Sequence, residues 1–250
     1  MKKQILFMAV TISAILFSCS KEKIETPPAT ETAGMESVAK MSPGLVINTL
    51  NIGLLGRYEF DGNLKDTTGK LEDGWPTVSR VVVPYTADRK GQANKAILFK
   101  GTYGVDLYDI PYTPSNCSVS FWVKDNVIEG PYWTEMLGSS HAFNFIQNEN
   151  EFNGNFQKFG YGIVQQIGTT PINSNWHHIA ATRDNTSMKL YIDGVLIGTA
   201  PSPVVDFGSW VLHNYRLGYG GGSYWKGAID DLRFYKRVLT ASEVTQLYNS

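Results

Sequence analysis

From Trp176 to Gly198 the chain spells out three strands and the turns between them. Trp176-His177-His178-Ile179-Ala180-Ala181-Thr182-Arg183 reads as a strand, Asp184 to Ser187 as a turn, and Met188-Lys189-Leu190-Tyr191-Ile192 as the return strand. Asp193-Gly194 is a two-residue connection of the type that needs φ > 0 at both positions. Val195-Leu196-Ile197-Gly198 completes an antiparallel meander. The same texture of short alternating apolar runs, parted by Gly, Asp, Asn and Pro clusters, holds from Gly44 to the end. Such spacing predicts a β-sandwich or barrel. No second linker follows Pro43, and residues 45–250 are ample for one sandwich core.

Composition agrees and excludes alternatives. Of the 250 residues 12% are aromatic, only 18% are charged, and 24 are Gly. Aromatic side chains suit a half-buried pleat and glycines suit turns. With 22 Lys and Arg against 23 Asp and Glu, nothing would neutralise a run of phosphates. Two cysteines exclude a disulfide scaffold. A content of 42% apolar residues without a Gly-X-Y period excludes a disordered or collagenous chain.

The first residues read as an address. Lys2 and Lys3 precede an apolar run from Ile5 to Phe17, too short to span a bilayer. Leu16-Phe17-Ser18-Cys19 resembles the bacterial lipoprotein cleavage box. The resemblance implies a signal peptide over residues 1–18, cleavage before Cys19 and lipidation of Cys19. Ser20 resembles outer-membrane sorting, and Lys21-Glu22-Lys23 resembles the surface-export signals of Bacteroidetes lipoproteins. The expected location is the outer face of a bacterial outer membrane, held through the lipid alone. Residues 19–44, rich in Thr, Glu, Pro, Ala and Lys, read as a flexible tether with a reach of roughly 25–30 Å.

One helix is expected, at the C-terminus. Thr240-Ala241-Ser242-Glu243 fits a capping box, Leu239 and Val244 a hydrophobic staple, and Val244, Leu247 and Tyr248 a one-sided stripe.

Several motifs then agree in order. They are Arg57-Tyr58-Glu59-Phe60-Asp61-Gly62-Asn63, Asp66-Thr67-Thr68-Gly69, Ala96-Ile97-Leu98-Phe99, Ser118-Val119-Ser120-Phe121-Trp122-Val123, Asn175-Trp176-His177-His178-Ile179, Tyr191-Ile192-Asp193-Gly194 and Gly227-Ala228-Ile229-Asp230-Asp231-Leu232-Arg233-Phe234-Tyr235. Together they resemble a laminin-G-like domain of the concanavalin A-like lectin/glucanase superfamily. The resemblance implies an all-β fold: a two-sheet antiparallel jelly-roll sandwich, here with a short C-terminal helix.

Catalysis is not expected. Hydrolases that resemble this domain carry a Glu-x-Asp-x-Glu strand, which places two carboxyls on one face, and no such strand occurs here. Glu149 and Glu151 sit in an Asn-rich stretch, and Asp230 and Asp231 are adjacent and alternate in face. Glu135 is a lone acid beside Tyr132 and Trp133, read as solvated or ligand-bonding rather than catalytic. His177 and His178 are strand neighbours on opposite faces and cannot share one zinc. His178 is assigned to the core side as a structural histidine, and Cys117, in phase with Val119 and Phe121, to the core.

Two binding sites are expected. The resemblance implies a structural Ca²⁺, for which Asp61, Asn63, Asp66 and Asp230 are the candidate ligands. The alternative is that these acids cap turns and pair with Arg57, Arg89 or Arg233. Aromatics in loops offer flat faces to sugar rings. Trp133, Tyr219, Tyr224 and Trp225 are the candidate platforms, with Asn144 and Gln147 bonding hydroxyls. The leading expectation is a surface lipoprotein that binds a glycan or a glycosylated partner, and no nucleic acid. The alternatives are a structural or adhesion module that meets another surface protein, and a glycoside hydrolase with an unusual acid pair.

Overall fold

The computed structural model describes residues 49–111, 116–125, 134–139, 143–148, 151–158, 162–171, 173–202, 212–220 and 222–250, with the backbone alone at 147–148, 151–158, 162–165, 171 and 212–213. The expected signal peptide, Cys19 and the tether lie outside the described residues. Contacts gather Ile47–Ser250 into one unit.

Alternation builds the strands. In chain order they are β1 (Leu54–Tyr58), β2 (Trp75–Pro76), β3 (Tyr85–Thr86), β4 (Ala96–Lys100), β5 (Val105–Pro111), β6 (Cys117–Asp125), β7 (Thr134–Gly138), β8 (Phe143–Asn148) and β9 (Glu151–Lys158). They continue as β10 (Gly162–Pro171), β11 (Trp176–Arg183), β12 (Ser187–Ile192), β13 (Val195–Pro201), β14 (Leu212–Leu217), β15 (Tyr219–Gly220), β16 (Ser223–Tyr224) and β17 (Lys226–Tyr235). The expected meander is β11–β12–β13, and Asp193 and Gly194 turn it with φ of 50° and 77°.

Two antiparallel sheets result. The first runs β13-β12-β11-β6-β17-β4-β3, with β1 also paired to β17. The second runs β10-β9-β8-β7-β14-β5-β2. β15 and β16 form a separate two-stranded ribbon. Inward residues of the first sheet, Val119, Phe121, Ile179, Leu190 and Phe234 among them, meet Val105, Leu107, Phe143, Phe145, Tyr215 and Leu217 of the second. Rings interlock across the gap: Phe121 on Phe145 at 5.0 Å and Tyr215 on Phe234 at 4.9 Å between centroids. Cys117 lies in this core as expected, and burial pushes its thiol up to about 12. At one edge β10 and β13 approach backbone to backbone. A Cβ on Gly198 would stand 2.2 Å from the carbonyl of Ile167, so only glycine fits there.

The helix α1 (Ala241–Tyr248) starts with the expected capping box: the Thr240 hydroxyl accepts from the Glu243 amide, and the Glu243 carboxylate accepts from the Thr240 amide. Leu239, Val244 and Leu247 pack on Leu54, Ala180, Tyr191 and Tyr235, the outward residues of the first sheet. The helix therefore covers the outer face of that sheet. The 3-10 turn Thr49–Asn51 packs there too, through Leu50. His178 belongs to this covered outer face, not to the core between the sheets. It is buried, bonds Ser120 Oγ through Nε2 at 2.9 Å, and lies near the rings of Trp122 and Tyr248. The core-side assignment fails because α1 buries the outer face of this sheet too, so a buried histidine need not lie between the sheets.

Candidate functional site

β17 changes partners in mid-strand. Residues 226–229 pair with β4 and residues 232–235 with β1, while β6 pairs along both halves with a bulge between Asp230 and Arg233. Asp231 takes a positive φ of 49° at the switch, a conformation Asp tolerates better than most residues. Ile229 and Leu232 both point inward because of this bulge, so Asp230 does not share the phase of Leu232 and Phe234. Simple alternation from Leu232 and Phe234 would put Asp230 on the core face, and the bulge removes it from there.

Arginines fill the bulge. Asp231 accepts from Arg57 at 2.8 Å and from two nitrogens of Arg233 at 2.9 and 2.7 Å. Arg89 bonds Asp230 at 2.5 Å and approaches Asp231 at 3.5 Å. Burial drives the two acids upward, but Arg233 and Arg57 hold Asp231 down to about 2. Burial wins at Asp230 and lifts it to about 7, with the neighbouring Asp231 adding to the rise.

The other expected calcium ligands are also engaged elsewhere. Asp66 accepts from the backbone N–H groups of Arg57, Thr68, Lys70 and Leu71 and from the Thr68 hydroxyl. Asp61 pairs with Lys95. Asn63 closes its own turn, donating to the Asp61 carbonyl and accepting from the Lys65 amide. A carboxylate ringed by N–H donors, or paired with a guanidinium or ammonium, already has its charge met from within the protein. These residues do not fit a calcium ion. Among the described residues no group of three or more His, Cys, Asp or Glu side chains gathers to hold a metal. The arrangement is the arginine pairing weighed as the alternative.

The second sheet is different, since both described helical turns lie on the first. One register row crosses it. Trp75 of β2 opposes Asp106 of β5, Asp106 opposes Arg216 of β14, and Arg216 opposes Gly138 of β7. Leu137 opposes Phe145, which sets Gly138 beside Asn144 of β8, and Asn144, Asn155 and Gln166 continue the row through β9 and β10. The neighbours Val105, Leu107, Leu217 and Phe145 point inward, so Asp106, Arg216 and Asn144 lie on the outward side. At about 4.8 Å per strand the row spans about 29 Å.

Chemistry concentrates near its middle. Arg216 Nε donates to Asp106 at 2.5 Å, and its guanidinium lies 5.3 Å from the Tyr219 ring. The Tyr108 hydroxyl donates to the second oxygen of Asp106 at 3.2 Å. Tyr219 and Tyr224, opposed across the β15–β16 ribbon, hold their rings 4.5 Å apart, and both are half-buried. The absent side chain of Gly138 leaves room in the row for the carboxyl of Glu135. That carboxyl accepts from Asn144 Nδ2 at 2.9 Å and rests on Gly220 of the ribbon. Burial raises the Glu135 pKa, against the hydrogen bond from Asn144 and the charge of Arg216. Asn144 is 1% exposed, and its Oδ1 has no hydrogen-bond partner among the described residues. The face thus combines flat rings, a fixed guanidinium, and an acid and amide held by neighbours, which suits a ligand with many hydroxyls and apolar ring faces.

Of the expected sugar-binding residues, Tyr219, Tyr224 and Asn144 meet here. Trp225 does not. It is 1% exposed, packs on Phe99 at 5.8 Å, and lies over Gly227. Strand alternation separates it from Tyr224, one residue before, which points the other way. Trp133 lies outside the described residues, as does the side chain of Gln147, whose backbone pairs with Thr134. Asp106 and Arg216 are not among the expected site residues; their signal is the alternation of polar with apolar residues in Val105-Asp106-Leu107-Tyr108 and Tyr215-Arg216-Leu217.

Residues 99–245 match a laminin-G family model of the concanavalin A-like lectin/glucanases superfamily. Among solved structures, domain 4 of AbnA, a GH43 extracellular arabinanase from Geobacillus stearothermophilus, in complex with arabinotriose, aligns at 25% identity and a TM-score of 0.57. The alignment covers 78% of this chain and 98% of that domain. The binding domain of botulinum neurotoxin DC aligns at 14% identity in two complexes. With SialylT the TM-score is 0.61, covering 80% of this chain and 52% of the other; with rat synaptotagmin II it is 0.58, covering 79% and 51%. This chain thus spans about half of those toxin domains, and the likeness is one of fold. No curated protein matches the sequence.

Proposed function

We infer that this chain, which belongs to the concanavalin A-like lectin/glucanases superfamily, is a carbohydrate-binding module that works without catalysis and is carried on a bacterial outer membrane by a lipid on Cys19. The observation that carries the reading is the outward row of the second sheet, where Tyr219, Tyr224, Arg216, Glu135 and Asn144 converge. The arabinanase domain found with arabinotriose supports the same class of ligand. The tyrosine rings offer stacking surface, and the polar groups are held in place by contacts that do not need the ligand.

A hydrolytic reading fits this face less well. Retention needs two carboxyls about 5–5.5 Å apart. Asp106 and Glu135 stand on strands with β14 between them, about 9.6 Å apart by strand spacing. Arg216 lies on that intervening strand and neutralises Asp106, where inversion would need a free base and a water.

Affinity electrophoresis of the purified protein through gels containing arabinan, xylan, β-glucan or a sialylated glycoprotein tests the reading. Retardation by at least one, lost in Tyr219→Ala, is the expected result. Free migration through all of them by folded protein would count against it, and release of reducing sugar that stops in Glu135→Gln would replace binding with hydrolysis. A partner captured through this face that lacks glycan would favour an adhesion module instead.

A further inference from the structure

Trp75 is 60% exposed on β2, the short edge strand of the second sheet. An indole left this open forgoes burial that most tryptophans obtain. Its neighbours explain its direction. Gly74 faces Val105 and Leu107, with a built Cβ 3.0 Å from the nearer, so Trp75 must turn outward beside Asp106. A recess of about 370 Å³ opens at the indole, formed by Asn63, Leu64, Lys65, Asp73 and Pro76 together with Trp75. Asp73 uses one carboxylate oxygen to hold the Asp66 amide at 3.1 Å. Its other oxygen and the Lys65 ammonium have no bond among the described residues. The recess thus has an aromatic wall, an acceptor and a donor.

We propose that Trp75 and this recess form an end subsite that takes one further sugar ring of an oligosaccharide already seated on the outward face of the second sheet. The proposal rests on the carbohydrate-binding reading and adds ligand length to it. Trp75 stands three strands from Glu135 along β2-β5-β14-β7, about 14 Å away. No single ring reaches both, so the subsite contributes only when the chain is long enough. The ring stacks on the indole while Asp73 and Lys65 meet its hydroxyls.

The test is isothermal titration with arabino-oligosaccharides from arabinobiose to arabinohexaose, on wild type, Trp75→Ala, Trp75→Phe and Tyr219→Ala. Wild type should gain about tenfold in affinity once the chain reaches Trp75. Trp75→Ala should lose that gain, Trp75→Phe should keep most of it, and Tyr219→Ala should weaken every length. Indole emission should shift to the blue with the long sugars, and the shift should vanish in Trp75→Phe. If wild type gains with length and Trp75→Ala gains equally, the end subsite is wrong and the face stands. If wild type binds no member of the series, both fall for this sugar class. If Trp75→Ala weakens all lengths alike, Trp75 belongs to the central site and the separate subsite is wrong.

Discussion

The carboxyl of Glu135 lies where a side chain on Gly220 would be: a Cβ there would stand 2.1 Å from Glu135 Oε2. The obstacle is the end of a flexible side chain, not backbone. Gly220→Ala should therefore leave stability within about 0.5 kcal/mol of wild type while pushing the Glu135 carboxyl off Asn144. Glycan retention should fall with little change in Tm. Gly218→Ala is the contrast, since Gly218 has a φ of 69° and a Cβ would meet the Phe99 ring at 2.3 Å. It should cost more than about 1 kcal/mol, read by urea unfolding. Equal Tm losses in the two variants would show that Gly220 is held by packing rather than by Glu135.

At the β17 bulge the same logic applies to charge. Asp231 faces Arg233 and Arg57 from a site where its own side chain is 6% exposed. Asp231→Asn keeps the shape and tolerates the positive φ, but leaves both guanidinium groups without their shared carboxylate. A loss of about 3–5 kcal/mol in urea unfolding is expected. A loss below about 1 kcal/mol would mean that the two arginines find water or another acid.

Alternation and turn chemistry made the framework legible. The meander, the Asp193-Gly194 turn, the Cys117 phase and the Thr240 cap follow from residues a few positions apart, where local sterics and hydrogen bonds decide. The site was less legible because it is assembled across strands. Asp106, Arg216 and Gly138 meet only once the register is set, and they come from segments more than a hundred residues apart in the case of Asp106 and Arg216. Trp225 misled for a related reason: a run of aromatics says that rings are present, while alternation and the room above Gly227 decide which of them turns inward.

Calcium offers a direct check on the acidic residues. Asp61, Asp66 and Asp230 each already face a positive group or N–H donors. Adding millimolar calcium, or a chelator, should leave the unfolding temperature unchanged. A ligand that binds only the folded state at a hundred times its Kd would add about 2.7 kcal/mol, which a melting curve resolves readily. A rise of several degrees with calcium would show that the arginine pairs yield to the ion.

His178 should make stability depend on pH. Burial lowers its pKa from the ordinary 6.5 to about 4, with Asp231 and Asp193 pulling upward and Arg233 and Arg89 downward. Between those values the unfolded chain binds a proton that the folded chain refuses, so this contribution is complete above pH 6.5 and is lost as pH falls toward 4. Its size is about 3 kcal/mol. Asp230 acts in the opposite sense over an overlapping window. Its folded pKa of about 7 lies above the ordinary 3.8, so the folded chain holds the extra proton and its stability rises as pH falls from 7 toward 4. The two partly cancel, and the wild-type profile alone is a poor readout. The difference between wild type and His178→Gln, which keeps a polar partner for Ser120, separates them. Urea unfolding at pH 7, 6, 5 and 4 should show the wild-type advantage shrinking with each step, by up to about 3 kcal/mol in all. An advantage that stays constant across those values would mean that His178 titrates as freely in the folded chain as in the unfolded one, and that α1 does not keep water from the ring.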